Sequence, residues 1–320
     1  MDERDDKIND LRRAMGTMPD MDVPLVTRFY EGVRGITVNL YDTSENPYKA
    51  MFNMVTSTWG KHINKWDEVS PENRFIVIRS LLEFKALPSA MEYPTFCFGI
   101  EQCSRSAFDQ IARARIGAVF ASQGWRDNDH SDIGFRIPQA IYDSHNLLKY
   151  IEAVEQCKKV YHELVQSGQA NWQDARAVLP ISACHMFSMS INYMALRGFC
   201  NKRLKFCEQA DTVAVAWLMR ERVKEKFPLL GSYLRPSCDG RGVCEYHQSY
   251  SLSEAFGCLF SSCGRNVDKD SDGYSTFNSS CTNAKTLAEQ LGIDIPGPKE
   301  DLPAQNWETL EDQDRELLCS

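Results

Sequence analysis

The chain changes character at Pro228, and that break limits what it can fold into. Before it, apolar residues recur at helix and strand spacings. After it, Gly, Ser, Cys and Asp dominate to about Ser280, and an acidic, proline-containing tail follows. A chain of 320 residues can bury about 75% of its unfolded surface, so the first part needs no staples to build a core. Three segments are expected: a polar arm over 1–22, a folded body over 23–230, and a Cys/Gly/Ser-rich extension with its tail over 231–320.

Within the body, Val33 to Leu40 alternates and reads as a strand. Ser44-Glu45-Asn46-Pro47 opens a helix running through Thr56, with Pro47 in the first turn where its missing N–H is harmless. Ser70-Pro71-Glu72-Asn73 opens another, to about Phe84, by the same logic. Tyr93 to Ile100 is short, aromatic and apolar, as a buried strand is. Helices are expected over Ser104–Ser122, Pro138–Gln166, Trp172–Val178, Ala183–Phe206 and Cys207–Lys226. The fold class is therefore α+β: long helices on a small, mostly antiparallel sheet, with an irregular C-terminal extension.

A net charge of −8 and a pI near 5.4 argue against general nucleic-acid binding. A phosphate site needs only a local cluster of arginines, so a nucleotide substrate stays open. No apolar run approaches a membrane span, and Met1-Asp2-Glu3-Arg4-Asp5-Asp6-Lys7 lacks the apolar core of a signal peptide. A cytoplasmic protein with no membrane partner is expected, and its 12 cysteines are then mostly free thiols.

Arginines embedded in otherwise apolar helical context carry the functional reading. One group is Gln110-Ile111-Ala112-Arg113-Ala114-Arg115, downstream of Phe96-Cys97-Phe98-Gly99-Ile100 and Ser104-Arg105. Another runs Asp174-Ala175-Arg176-Ala177-Val178-Leu179-Pro180, then Asn192, Phe199 and Arg203. On a helix, Gln110 and Arg113 share a face, while Arg113 and Arg115 diverge. A guanidinium fork suits phosphate, carboxylate or the carbonyl edge of a base in two-point fashion. The plain alternative is a set of surface arginines paired with carboxylates.

These residues resemble the flavin-dependent thymidylate synthase family, the ThyX-type enzymes, over roughly residues 30 to 230. The resemblance implies FAD as cofactor and hydride donor to carbon 6 of a pyrimidine, methylenetetrahydrofolate as one-carbon source, and NADPH as reductant of the flavin. It implies conversion of dUMP to dTMP in a homotetramer with active sites between subunits. Gln110, Gly124, Arg126, Arg176 and Arg203 would bind the substrate: Arg126 and Arg176 the phosphate, Arg203 the uracil. Ser89, Arg113, Arg115, Ile116 and Asn192 would contact the flavin, and Arg113 and Arg203 would stabilise charge on the base.

The family motif is eroded here. Its histidine is replaced by Ala114, and its serine, asparagine and late serine by Ala118, Phe120 and Gln123. Its late arginine falls on Trp125, with Arg126 one step on. The upstream histidine is missing near Leu87, although Ser89 and Glu92 remain. Two alternatives follow: 5-hydroxymethylation of dUMP or dCMP by the same fold, and a non-catalytic nucleotide-binding or zinc-dependent structural relative.

Three further signals weigh less. Leu179-Pro180-Ile181-Ser182-Ala183-Cys184-His185 is superficially similar to the Pro-Cys-His element of folate-dependent synthases that attack the base through a thiolate. A buried structural Cys184 is the expectation. Cys238, Cys244, His247, Cys258 and Cys263 could hold zinc. Asp268, Asp270 and Asp272 open like a calcium loop, but Ser279 stands where the closing glutamate is needed, so an Asx-rich turn is expected.

Overall fold

A computed structural model describes residues 27–60, 65–126, 128–168, 170–204, 208–236, 284–292 and 303–320. In chain order the strands are β1 (Phe29–Glu31), β2 (Thr37–Thr43), β3 (Thr95–Ser104), β4 (Ala118–Ser122), β5 (Phe135–Ile137) and β6 (Cys184–Asn192). The helices of the body are α1 (Pro47–Thr58), α2 (Pro71–Leu82), α3 (Arg105–Ile111), α4 (Gln139–Tyr142), α5 (Leu147–Gln166) and α6 (Trp172–Ala175). They continue as α7 (Tyr193–Arg203), α8 (Ala210–Lys226), α9 (Pro228–Ser232), α10 (Ala284–Leu291) and α11 (Asp312–Cys319).

The chain divides into two compact units. Unit one is Met1–Gly32, Ser104–Ser106 and Ser122–His185; unit two is Val33–Cys103, Ala107–Ala121 and Met186–Ser320. In unit one β1 and β5 pair in parallel, Tyr30 opposite Arg136. Over them α5 presents Val154, Lys158 and Tyr161 to the interior, the spacing of one helix face. Phe135, Val154, Tyr161, Ala175, Leu179 and Ala183 form its core.

Unit two holds a sheet of order β2-β3-β6-β4. β2 and β3 are antiparallel, with a register shift between Leu40 and Asp42. The starts of α1 and α2 follow the expected chemistry: Asn46 accepts from Lys49 N–H and Ser70 from Asn73 N–H, each with a proline in the first turn. Helix α8 is buried from Asp211 through Arg220, as a helix apolar on most faces must be. It packs on β2, α7 and α9.

Two helix expectations are corrected. Ser104–Ser122 is not one helix: β3 runs through Ser104, α3 stops at Ile111, and a turn leads to β4. Gly117 in that turn has φ +70, which a helix cannot contain. Ala183–Phe206 likewise divides into β6 and α7. Along β6, Phe187, Met189 and Ile191 are buried while their neighbours are less so, a period of two that marks a strand. The expected Pro138–Gln166 helix is α4 and α5, separated by 143–146.

Past Pro228 the described residues are ordered against unit two. Arg220 Nε donates to Leu234 O at 3.0 Å, and Arg74 donates to Leu318 O while its guanidinium lies 4.4 Å from the Trp66 ring. Asp314, 1% exposed, accepts from Tyr48 Oη–H and, at 2.7 Å, from Leu229 N–H. Burial raises its carboxyl to about 6, against the lowering effect of those two donors. Asp314→Ala strands both donors and is expected to cost about 2–4 kcal/mol in urea unfolding. The folded value lies above the ordinary 3.8. The unfolded chain therefore ionises first, and this contribution to stability is full below pH 3.8 and lost as pH rises to about 6. Asp314→Asn should unfold without that falling component between those pH values; an unchanged profile would contradict it.

Candidate functional site

In unit two the site residues lie along α7: the last turn of α3 meets its C-terminal end and the turn after α3 meets its N-terminal end. Gln110 lies in the last turn of α3, and its side chain donates to Gln209 Oε1. Arg203, in the last turn of α7, donates to Gln110 O at 3.0 Å and pairs with Glu208. Arg113 and Arg115 are carried by the turn after α3, not by a helix. Both are exposed, and neither guanidinium has a partner among the described residues. Beside them Ile116 is 92% exposed and Val119, on β4, 71%.

Asn192 joins this turn to α7. Its N–H donates to Gly117 O at 2.9 Å, and its Oδ1 accepts from Ala195 N–H at 2.8 Å, capping the helix. A Cβ on Gly117 would sit 2.6 Å from Asn192 Nδ2 and 2.8 Å from Ala195 Cβ. Ser89 is exposed on the turn Pro88–Glu92, which packs on α1 and α7; Tyr193 N–H, next to Asn192, donates to Pro94 O at 2.9 Å.

In unit one Arg176 follows α6, and its Nε donates to Gln173 O at 3.0 Å. Arg126 lines a cleft of about 350 Å³ with Val165, Ala170, Asn171, Trp172 and Gln173, so both arginines border Gln173. Gly124 O accepts from Asn128 Nδ2. Trp125 turns elsewhere: its Nε1–H donates to His185 Nδ1 at 2.9 Å, its ring lies 4.8 Å from His130, and Arg105 lies over it at 5.5 Å.

His130 and His185 are 2% and 1% exposed. Burial, and then the charge of Arg105, push His185 down to about 3. Burial also lowers His130, with Arg176 adding to it, against a hydrogen bond to the Trp125 backbone and the nearby Asp129. Both imidazoles are therefore neutral near neutral pH. Sequence reading missed this cluster as a site, although Trp125 at the place of the motif's arginine was a signal. Cys184 is buried on β6 and in no disulfide, buried as expected, though in a strand and not a helix.

The sequence model described as "Thymidylate synthase complementing protein" matches residues 39–229. The chain belongs to that family. It is 31% identical over 208 residues to a flavin-dependent thymidylate synthase of Pyrococcus abyssi, covering 59% of this chain and 83% of the relative. Against that of Nitratidesulfovibrio vulgaris it is 28% identical over 213 residues, covering 64% and 84%. In fold it is similar to a UMP/dUMP methylase, PolB from Streptomyces cacaoi, bound with 5-Br dUMP. The TM-score is 0.55 at 20% identity, covering 64% of this chain and 96% of that one. Membership in the thymidylate synthase complementing protein family makes the chain an enzyme of the flavin-dependent kind.

The residues of unit two fit a flavin. Two guanidinia without partners among the described residues stand beside exposed aliphatic surface, which suits a ligand both polyanionic and flat. Gly117 brings backbone close to Asn192 where any Cβ would intrude. The residues expected to hold zinc, Cys238, Cys244, His247, Cys258 and Cys263, lie outside the described residues, as do Asp268, Asp270 and Asp272. Among the described residues no group of three or more His, Cys, Asp or Glu is placed to hold a metal ion, and no helix is long and apolar enough to cross a membrane.

Gly117→Ala and Gly168→Ala separate packing from backbone strain. Both positions have positive φ, +70 and +67, but a Cβ at Gly168 meets nothing within 4 Å. Gly168→Ala should cost about 1 kcal/mol; Gly117→Ala should cost about 2–4 kcal/mol, because the crowding adds to the strain. Equal costs in denaturant unfolding would mean that Asn192 does not confine the turn.

Proposed function

We propose that this enzyme transfers a one-carbon unit from methylenetetrahydrofolate to carbon 5 of dUMP, giving dTMP, with FAD as its cofactor and NADPH as reductant. The observation that carries the reading is the convergence of Gln110, Arg203 and the Arg113–Arg115 turn in unit two, within the stretch matched by the family. When bound, the flavin supplies the redox chemistry that the protein's side chains cannot. Arg113, Arg115, Ile116, Asn192 and Ser89 would hold it. Gln110 and Arg203 would orient the pyrimidine, and Arg126, Arg176 and Gly124 would bind the phosphate end.

No nucleophile is required in this scheme. Arg203 and Arg113 keep fixed positive charge at the base, where charge develops, and orientation does much of the rest. Arg203 is engaged by Glu208 and Gln110 O, so the base would take over hydrogen bonds already aimed into the site. A homotetramer is part of the proposal, since exposed Ile116 and Val119 suit a site completed by a second copy. The methyl product is favoured over a hydroxymethyl one, and dUMP over dCMP, because the relatives are named as thymidylate synthases and a dUMP methylase. The same names favour catalysis over a non-catalytic or zinc-structural role.

The test is the visible spectrum of the purified protein, followed by NADPH and then dUMP or dCMP. A flavin band that bleaches with NADPH and shifts with dUMP alone is expected; protein that takes up no FAD sinks the reading. Arg203→Ala should then weaken dUMP binding by about 10–100-fold, as loss of a charge-assisted pair of hydrogen bonds implies. Its flavin content should stay near that of the unaltered protein. Loss of flavin with nucleotide binding retained would reassign Arg203.

A further inference from the structure

The loop between α7 and α8 carries a carboxylate to which no role has been given. Glu208 lies five residues beyond Arg203 and just before Gln209, whose backbone O accepts from Thr212 and Val213 N–H at 2.9 and 3.1 Å. The start of the buried helix α8 thus fixes its place. Glu208 Oε2 accepts from Arg203 Nη1–H, and the two side chains are 19% and 17% exposed. Arg203 Nη2 donates to Gln110 O at 3.0 Å. Arg203 is the only partner of the Glu208 carboxylate among the described residues, so Oε1 accepts no bond there.

This pairing constrains what can enter. A half-buried carboxylate stripped of its donor is costly. A base carbonyl that takes the Arg203 donor must therefore bring a donor for Glu208 with it. Uracil has one on the adjacent ring atom, because N3–H lies between its two carbonyls. Inserting that O=C–N–H edge breaks one bond, Arg203 to Glu208. It makes two: Arg203 to the carbonyl oxygen, and N3–H to the carboxylate. Cytosine, at its one carbonyl, has a bare N3 lone pair in the same place. A lone pair set against a carboxylate is a mismatch of the kind that rejects a wrong ligand.

We propose that Glu208 selects the base: its carboxylate accepts from uracil N3–H beside the carbonyl that Arg203 binds, and it turns cytosine away. The proposal rests on the function proposed above and names the residue that decides its substrate. Glu208 touches the base but takes part in no bond made or broken by the reaction.

The experiment is equilibrium titration of the full chain with dUMP, dCMP and N3-methyl-dUMP, on the unaltered protein and on Glu208→Gln and Glu208→Asp, with flavin content measured alongside. The unaltered protein should bind dUMP about 10–100-fold more tightly than the other two, as a hydrogen bond to a charged group implies. Glu208→Gln keeps an accepting oxygen and adds N–H donors, so its amide can also serve the cytosine N3. Its preference for dUMP over dCMP should shrink to within about threefold. Glu208→Asp keeps the charge but withdraws it by one methylene. It should weaken dUMP by about 5–20-fold and leave N3-methyl-dUMP within about twofold of before. Flavin content should stay near that of the unaltered protein in both. If Glu208→Gln does not fold, Glu208→Asp gives the same comparison.

A preference for dUMP that survives Glu208→Gln, with both nucleotides weakened alike, would make Glu208 only a prop for Arg203 and overturns the proposal. Unaltered protein that binds N3-methyl-dUMP as tightly as dUMP overturns it as well, and in both cases dUMP binding to the flavin-loaded protein leaves the function above standing. Tighter binding of dCMP than of dUMP to the unaltered protein overturns the proposal together with the choice of dUMP as substrate. Unaltered protein that binds none of the three ligands overturns the proposal and that function together.

Discussion

Asn192 is the joint on which unit two's candidate site depends. At this residue β6 ends and α7 begins, so its backbone serves the sheet side and its side chain the helix. The N–H donates to Gly117 O and Oδ1 caps α7 through Ala195. One residue thereby fixes the turn bearing Arg113 and Arg115 to the helix bearing Arg203. The close approach excludes a Cβ on Gly117, and only glycine takes a φ near +70 without strain. The arginine turn is held from behind while its guanidinia stay in solvent, the arrangement a ligand needs to meet charges already in place.

The two units keep their arginines in different states. In unit two Arg203 is locked to Glu208 and Gln110, whereas Arg113 and Arg115 have no partner among the described residues. In unit one Arg105 is laid on an aromatic ring and two buried imidazoles are held neutral beside it. A chain of net charge −8 thus keeps local positive charge at the turn carrying Arg113 and Arg115. Bulk acidity excludes neither phosphate nor nucleotide, because fields of exposed charges are screened within about 10 Å at 0.1 M salt.

The sequence was most legible where local rules act alone. Asn46-Pro47 and Ser70-Pro71 open helices because capping and proline chemistry need no tertiary contact. Arg176, Asn192 and Arg203 fall in a stretch without gaps, and the family reading follows from them. The turn at Gly117 and the strand at Cys184–Asn192 were read as helix. Ala112, Ala114 and Met189 fit a helix by propensity, and a sheet partner decides the matter from far along the chain. The arginine geometry inherited that error: Arg113 and Gln110 were set on one helix face, but α3 ends between them. The Trp125 cluster was illegible for a related reason, since Arg105, Trp125, His130 and His185 come together only through the fold.

The tail shows why the family's boundary is not the boundary of the folded core. The family match ends at residue 229, yet Tyr48, inside it, has its buried hydroxyl satisfied by Asp314, far outside it. Arg74 and Asn46, also inside, donate to carbonyls of Leu318 and Leu317 at the end of α11. These are the orphan carbonyls that a helix C-terminus leaves, so the body completes the tail while the tail completes the body. Arg220 holds the start of the extension at Leu234 and Val33 N–H is received by Gln290 in α10. Residues 228–234 and Gln290, on either side of the Cys-rich stretch, therefore both bond into unit two. Cutting the chain where the family match ends would strand the Tyr48 hydroxyl and the Arg74 guanidinium, each buried and each satisfied from the tail, and a buried donor left unmade is costly.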